Sequence, residues 1–148
     1  MLYMLEFGYC IWVQPSKQSE LYDLTDGFEP HISLQTNMTH EEAVEKFAVL
    51  SINPLNVKII DAPYVTECKG FYALQYDVKI ISGSPSLWVE DPHISFVYHY
   101  DTPPKERFVE LHNLCEIFDR YTLMCCNSHY TQWKEIQSKE CCGFLERK

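Results

Sequence analysis

Pro30-His31-Ile32-Ser33-Leu34 returns in the second half of the chain as Pro92-His93-Ile94-Ser95-Phe96, and each copy follows a carboxylate residue, Glu29 or Asp91. Successive side chains of a strand point to opposite faces. As strands, both copies would therefore place their histidine and serine on one face and their apolar residues on the other. The duplication predicts two similar halves that each contribute one His-x-Ser pair to a shared site.

The composition limits the partners that such a site can have. The chain of 148 residues has a common length for one domain, and 12 Lys and Arg against 21 Asp and Glu give a net charge of −9. Binding to nucleic-acid backbones needs clustered cations, so we expect no DNA partner and a small phosphate ligand. The sequence shows neither an apolar run long enough to span a membrane nor a basic leader. We therefore expect a cytoplasmic protein with no membrane partner.

The seven cysteines show neither Cys-x-x-Cys nor a zinc-finger spacing with histidine. Scattered cysteines in a packed domain usually behave as small apolar side chains. We expect mostly reduced thiols and no metal site.

The pattern along the chain predicts the same order of elements in both halves. A capping box, with Thr39 as N-cap and Glu42 three residues later, predicts a helix directly after the first motif. Apolar spacings of three and four predict a second helix from Thr102 to Phe118. The remaining segments predict strands at 2–13, 28–36, 57–64, 71–81, 87–98, 121–126 and 130–136.

This order predicts an α+β fold with two pseudo-symmetric lobes of antiparallel sheet, helices on the outside and a central cleft. We expect residues 1–148 to form one domain, with lobes at about 1–81 and 87–148 that can exchange strands. The small, flexible segment 82–86 is the natural junction between the halves.

Two histidines on opposite sides of a phosphodiester can perform acid and base catalysis in a single step. A neutral imidazole takes the proton of the attacking water, while a protonated one donates its proton to the leaving oxygen. The hydroxyls of Ser33 and Ser95 would bind the non-bridging oxygens, and the reaction needs no metal or other cofactor. A single His-x-Ser/Thr is a weak signal, and His129-Tyr130-Thr131 is incidental. The shared frame on two predicted strands favours function over a pair of structural histidines.

The two motifs resemble those of the 2H phosphoesterase superfamily, which is defined by two His-x-Ser/Thr motifs, one from each lobe of a bilobal α+β fold. More narrowly, the chain is similar to the small cyclic phosphodiesterases of the plant and yeast type. Softer matches are Tyr9-Cys10-Ile11-Trp12-Val13-Gln14-Pro15 near the start and Thr131-Gln132-Trp133-Lys134 near the end. The resemblance implies hydrolysis of ADP-ribose 1″,2″-cyclic phosphate or a nucleoside 2′,3′-cyclic phosphate to a monophosphate.

By position, the resemblance makes His31 and His93 the general base and acid, in an order that the symmetric frame leaves open. It makes Ser33 and Ser95 the ligands of the phosphate oxygens. No lysine or arginine adjoins either motif.

Two aromatic residues are implied as substrate contacts. Tyr98 falls at the aromatic position of the second motif, but simple alternation puts it on the face opposite His93, so this role requires a β-bulge. Trp12 would lie at the cleft as a platform for a base or ribose. Packing in the core is the competing interpretation for both residues.

Two alternative functions remain open. The same four residues could cleave 2′-5′ oligoadenylate or a cyclic di- or oligonucleotide signal, in a pocket with room for two bases. A non-catalytic nucleotide-binding module could keep the fold, although it would not need two acid–base groups. In either enzymatic case we expect a monomer whose partner is a small nucleotide or a short oligonucleotide.

Overall fold

The computed structural model describes residues 7–24, 29–61, 64–68, 71–83, 92–99, 114–127 and 133–141. In chain order the elements are β1 (Tyr9–Pro15), α1 (Leu21–Leu24), β2 (His31–Met38), α2 (His40–Ala48), β3 (Leu55–Ile59), β4 (Tyr64–Cys68), β5 (Phe71–Ser82), β6 (His93–His99), β7 (Cys115–Cys125) and β8 (Lys134–Glu140).

Six of these strands close into an antiparallel barrel. Their order is β1-β2-β6-β5-β3-β7, and β7 pairs back onto β1 from Tyr9 to Pro15. Strand β8 continues from β7, and β4 pairs with β5 beside the ring. The predicted bilobal α+β fold is therefore wrong. Strands of the two halves are interleaved in one sheet, since β6 lies between β2 and β5, and β7 lies between β3 and β1. The closed ring therefore has no unpaired edge at which two lobes could meet.

The helix predicted after the first motif is confirmed as α2. The Thr39 side chain accepts a hydrogen bond from the backbone N–H of Glu42, and the Glu42 side chain accepts one from the backbone of Thr39. Such caps stabilise a helix by about 0.5–2 kcal/mol. Ala43 and Phe47 bury the inner face of α2 in the core. Among the described helices, none is long and apolar enough to cross a membrane.

The helix predicted from Thr102 to Phe118 is wrong at its C-terminal end. Cys115 and Phe118 belong to β7, where they pair with Lys58 and Leu55 of β3. Residues 100–113 lie outside the described part of the chain. A short stretch rich in apolar residues is compatible with a buried strand as well as with a helix. Pairing with β3, which is distant in sequence, decides between the two here.

The sheet has two apolar faces of unequal size. The main core takes residues from all six strands of the ring, among them Ile11 and Val13 of β1. On the other face of β1, Cys10 and Trp12 join Met124 and Cys126 in a smaller cluster, with Phe7 and Trp133 packed against it. The candidate site lies on this second face.

Candidate active site

The two motif strands are neighbours in the ring. Strand β2 runs antiparallel to β6, with His31 opposite Ser95 and Ile32 opposite Ile94. Continuing the same register places Ser33 opposite His93. Directly opposed residues of a sheet share a face, with Cβ atoms about 4.5–5.5 Å apart. His31 thus lies beside Ser95, the serine of the other motif.

All four motif residues and Trp12 line one cavity of about 360 Å³. This volume lies within the range of small-molecule sites. The other described lining residues are aromatic, polar or small: Phe7, Cys10, Thr36, Asn37, Thr66, Ala73, Gln75, Cys126 and Trp133. The lining that the structure describes contains no lysine or arginine, so a bound phosphate would meet imidazoles, hydroxyls and amides there.

His31 is 1% exposed, and its Nδ1 lies 2.9 Å from the backbone oxygen of Glu29. A carbonyl oxygen only accepts hydrogen bonds, so Nδ1 carries the proton, and Nε2 of the neutral ring keeps its lone pair. The pKa of His31 is lowered from 6.5 to about 3, mainly by burial; the hydrogen bond to Glu29 opposes the shift, and the neighbouring His93 adds to it. The geometry and charge therefore favour a neutral His31 that accepts a proton at Nε2.

Trp12 covers one face of the His31 ring. The ring centroids are 3.5 Å apart, the planes differ by 7°, and Trp12 is only 4% exposed. Trp133 packs edge-on against Trp12, with centroids 5.8 Å apart. Trp12 therefore stacks on His31, a candidate catalytic residue, and also forms part of the cavity wall. Trp133 is half-buried and presents a second aromatic surface to the cavity.

Strand β5 adds polar residues beside the second motif. Gln75 lies opposite Ser95, and Asp77 lies opposite His93. The hydroxyl of Tyr64 donates a 2.8 Å hydrogen bond to Asp77 Oδ1. Ser95 is buried, whereas His93 is half-buried and more accessible than His31. The two histidines therefore occupy different environments despite their matching motifs.

Sequence reasoning missed Gln75 and Asp77 as neighbours of the site. The sequence feature that could have identified them is the alternation of polar and apolar residues in β5, where they lie between Leu74, Tyr76 and Val78. This pattern indicates a polar face, but only the strand order shows that the face adjoins the second motif.

Tyr98 belongs to β6, where its Cα pairs with Ala73. A register shift between Leu74 and Gln75 interrupts the β5–β6 ladder just before this pair. This is the kind of irregularity that the predicted role of Tyr98 requires. The side chain of Tyr98 lies outside what the structure describes.

Two thiols, Cys10 and Cys126, also line the cavity. The pKa of Cys10 is lowered, mainly because the Cys126 thiol donates a hydrogen bond to it. The same contact, reinforced by burial, raises the pKa of Cys126. No group of three or more His, Cys, Asp or Glu side chains that could hold a metal ion occurs among the described residues.

Compared with known proteins, the chain matches no protein-family model and no curated protein sequence.

Proposed function

We propose that the protein is a metal-independent phosphodiesterase that opens the cyclic phosphate of a nucleotide. The substrates are ADP-ribose 1″,2″-cyclic phosphate or nucleoside 2′,3′-cyclic phosphates, and the product is a monophosphate. One observation carries this proposal: His31 and Ser95 oppose one another in a ladder that also brings Ser33 and His93 to the same cavity. The resemblance of both motifs to those of the 2H phosphoesterases supports it.

The unequal environments of the histidines suggest which is base and which is acid. Nε2 of the neutral His31 takes a proton from water as the water oxygen forms its bond to phosphorus. His93, as the imidazolium, donates a proton to the sugar oxygen as the phosphorus–oxygen bond breaks. Both ring protonation states are then restored by exchange with solvent. Asp77 lies opposite His93 in the β5–β6 ladder.

The serines complete the proposed mechanism. Ser33 and Ser95 donate hydrogen bonds to the non-bridging oxygens and hold the phosphorus in line with the attacking water. Such donors stabilise developing charge more strongly in a site that excludes water than in solution. Because Ser95 is 4% exposed, it is the better shielded of the two donors.

The expected setting is the cytoplasm, with the chain acting as a monomer. In the described part of the chain, Cys10, Cys125 and Cys126 are free thiols. Free thiols suit a reducing compartment, which supports this assignment.

An end-point assay tests the proposed function. The full chain is incubated in EDTA with nucleoside 2′,3′-cyclic phosphates, ADP-ribose 1″,2″-cyclic phosphate, 2′-5′ oligoadenylate and cyclic dinucleotides, and the products are separated by chromatography. We expect a monophosphate from a cyclic phosphate, at the same rate with and without EDTA. Faster cleavage of the oligonucleotides, binding without turnover, or loss of the rate on chelation would each overturn the proposal.

A further inference from the structure

A polar network connects the buried Gln14 of β1 with Glu29 before β2 and Arg120 of β7. Gln14 is 1% exposed, and its Oε1 lies 3.3 Å from both Nη1 of Arg120 and the hydroxyl of Thr122. A guanidinium only donates hydrogen bonds, which fixes the orientation of the Gln14 amide. Nε2 of Gln14 then donates to Oε1 of Glu29 at 3.3 Å.

Glu29 is held at both its side chain and its backbone. Its Oε1 also lies 3.5 Å from Nη1 of Arg120, and the other end of that guanidinium pairs with Glu135. The backbone oxygen of Glu29 is the atom that contacts Nδ1 of His31 at 2.9 Å. The side chain of Glu29 is half exposed, so without these partners it would be solvated and its peptide less restrained. The network therefore restrains the carbonyl that orients the His31 ring.

We propose that Gln14, Glu29 and Arg120 act together as a positioning device that keeps His31 in its Nδ1–H tautomer. An imidazole protonated at Nε2 could not accept a proton from water at that atom, so losing the preferred tautomer removes the base from the reaction. The catalytic consequence rests on the proposed function, whereas the tautomer itself does not. The equivalent residue of the second motif, Asp91, lies outside the described part of the chain.

The test uses two variants of Glu29, because its half-exposed side chain can be changed with little effect on folding. Glu29→Ala removes the anchor but keeps the backbone carbonyl. Glu29→Gln keeps an oxygen that can accept from Gln14 and Arg120. Glu45→Ala changes an exposed glutamate on α2 and serves as the matched control.

The tautomer of His31 is read from the ¹⁵N NMR shifts of its ring nitrogens, alongside kcat and KM for a cyclic phosphate. We expect the Nδ1–H form in the wild type, in Glu29→Gln and in Glu45→Ala. In Glu29→Ala we expect a substantial Nε2–H population and a kcat about tenfold lower, with KM within about twofold of wild type.

Two results would overturn the positioning role: an Nε2–H wild-type His31, or a Glu29→Ala variant with the wild-type tautomer and kcat. Failure of the proposed function is distinguishable, since a wild type without phosphodiesterase activity still reports its tautomer by NMR. If the wild type were inactive but Glu29→Ala still changed the His31 tautomer, the positioning role would be supported and the proposed function would not.

Discussion

His31 and Ser95 oppose one another across the β2–β6 ladder, although they come from different copies of the repeated motif. The exchange follows from an antiparallel register in which Ile32 pairs with Ile94, the central residue of each motif. A slip of one residue would turn one motif to the other face. The buried Ile32 and Ile94, which pair next to them, oppose such a slip, since it would carry them out of the core.

The first prediction concerns the two histidines. His31→Ala and His93→Ala should each lower kcat at least about 10²-fold, because each removes one proton transfer from the rate-limiting step. Initial rates on a nucleoside 2′,3′-cyclic phosphate measure the loss. His40→Ala, which changes an exposed histidine on α2, should keep the wild-type rate. Unchanged turnover in either active-site variant would refute the two-histidine mechanism.

The second prediction separates binding from chemistry. Trp133 lines the cavity and is half-buried, and stacking of a base on an aromatic ring contributes about 1–3 kcal/mol. Trp133→Ala should therefore raise KM about tenfold and leave kcat within about twofold. Steady-state kinetics measure both constants. Ile136→Ala, an exposed change on β8, is the control, and a fall in kcat without a change in KM would contradict base stacking.

The third prediction concerns pH and the rate. Because burial lowers the pKa of His31 to about 3, the acidic limb of kcat/KM should lie near that value rather than near 6.5. Trp12→Ala uncovers one face of the His31 ring and should move this limb upward. Trp133→Ala leaves the stacked pair intact and should not. A wild-type limb at the ordinary histidine value would show that His31 is not a buried base.

The candidate site could be predicted because its signal is local. The His-x-Ser frame requires only a strand and its alternation, and the structure brings His31, Ser33, His93 and Ser95 to one cavity. The capping box of α2 is similarly complete within four residues, Thr39 to Glu42. Each motif, like the capping box, is complete within a few consecutive residues and can therefore be recognised in the sequence.

The closed barrel could not be predicted in this way. It depends on β1 pairing with β7 and on β3 pairing with both β5 and β7, and nothing in a strand's alternation identifies its neighbour. The same limit applies to Gln14, which resembles any buried polar residue until Arg120 and Glu29 are placed beside it. Local patterns predict which side chains share a face of a strand, whereas long-range packing determines which strands pair.

The fourth prediction concerns the close approach of Gly8 to the backbone of Asn37, a residue that lines the cavity. Gly8 has φ +70°, and a Cβ there would lie 2.9 Å from Cα of Asn37 and 3.0 Å from the backbone oxygen of Met38. These are backbone atoms that cannot rotate away. Gly8→Ala should therefore lower the free energy of unfolding by about 2 kcal/mol, as measured by denaturant titration. Val49→Ala, at an 81% exposed position, is the control; equal stability of Gly8→Ala would contradict the left-handed conformation.

The last prediction concerns pH and stability. The pKa of His31 is lowered from 6.5 to about 3 in the folded protein, so between these values the unfolded chain binds a proton that the folded protein does not. The contribution of His31 to stability is therefore complete above pH 6.5 and falls as the pH is lowered toward 3. The maximum slope is about 1.4 kcal/mol per pH unit.

Denaturant titrations from pH 7 to pH 4 measure this slope in the wild type and in His31→Gln. The variant should be less stable at pH 7, because it loses the stacked ring, but its stability should fall less steeply with pH. Val49→Ala changes an exposed side chain that does not titrate and should follow the wild-type slope. Parallel curves for wild type and His31→Gln would mean that the buried imidazole takes up its proton without unfolding. In that case His31 could not be the neutral base of the proposed mechanism throughout this range.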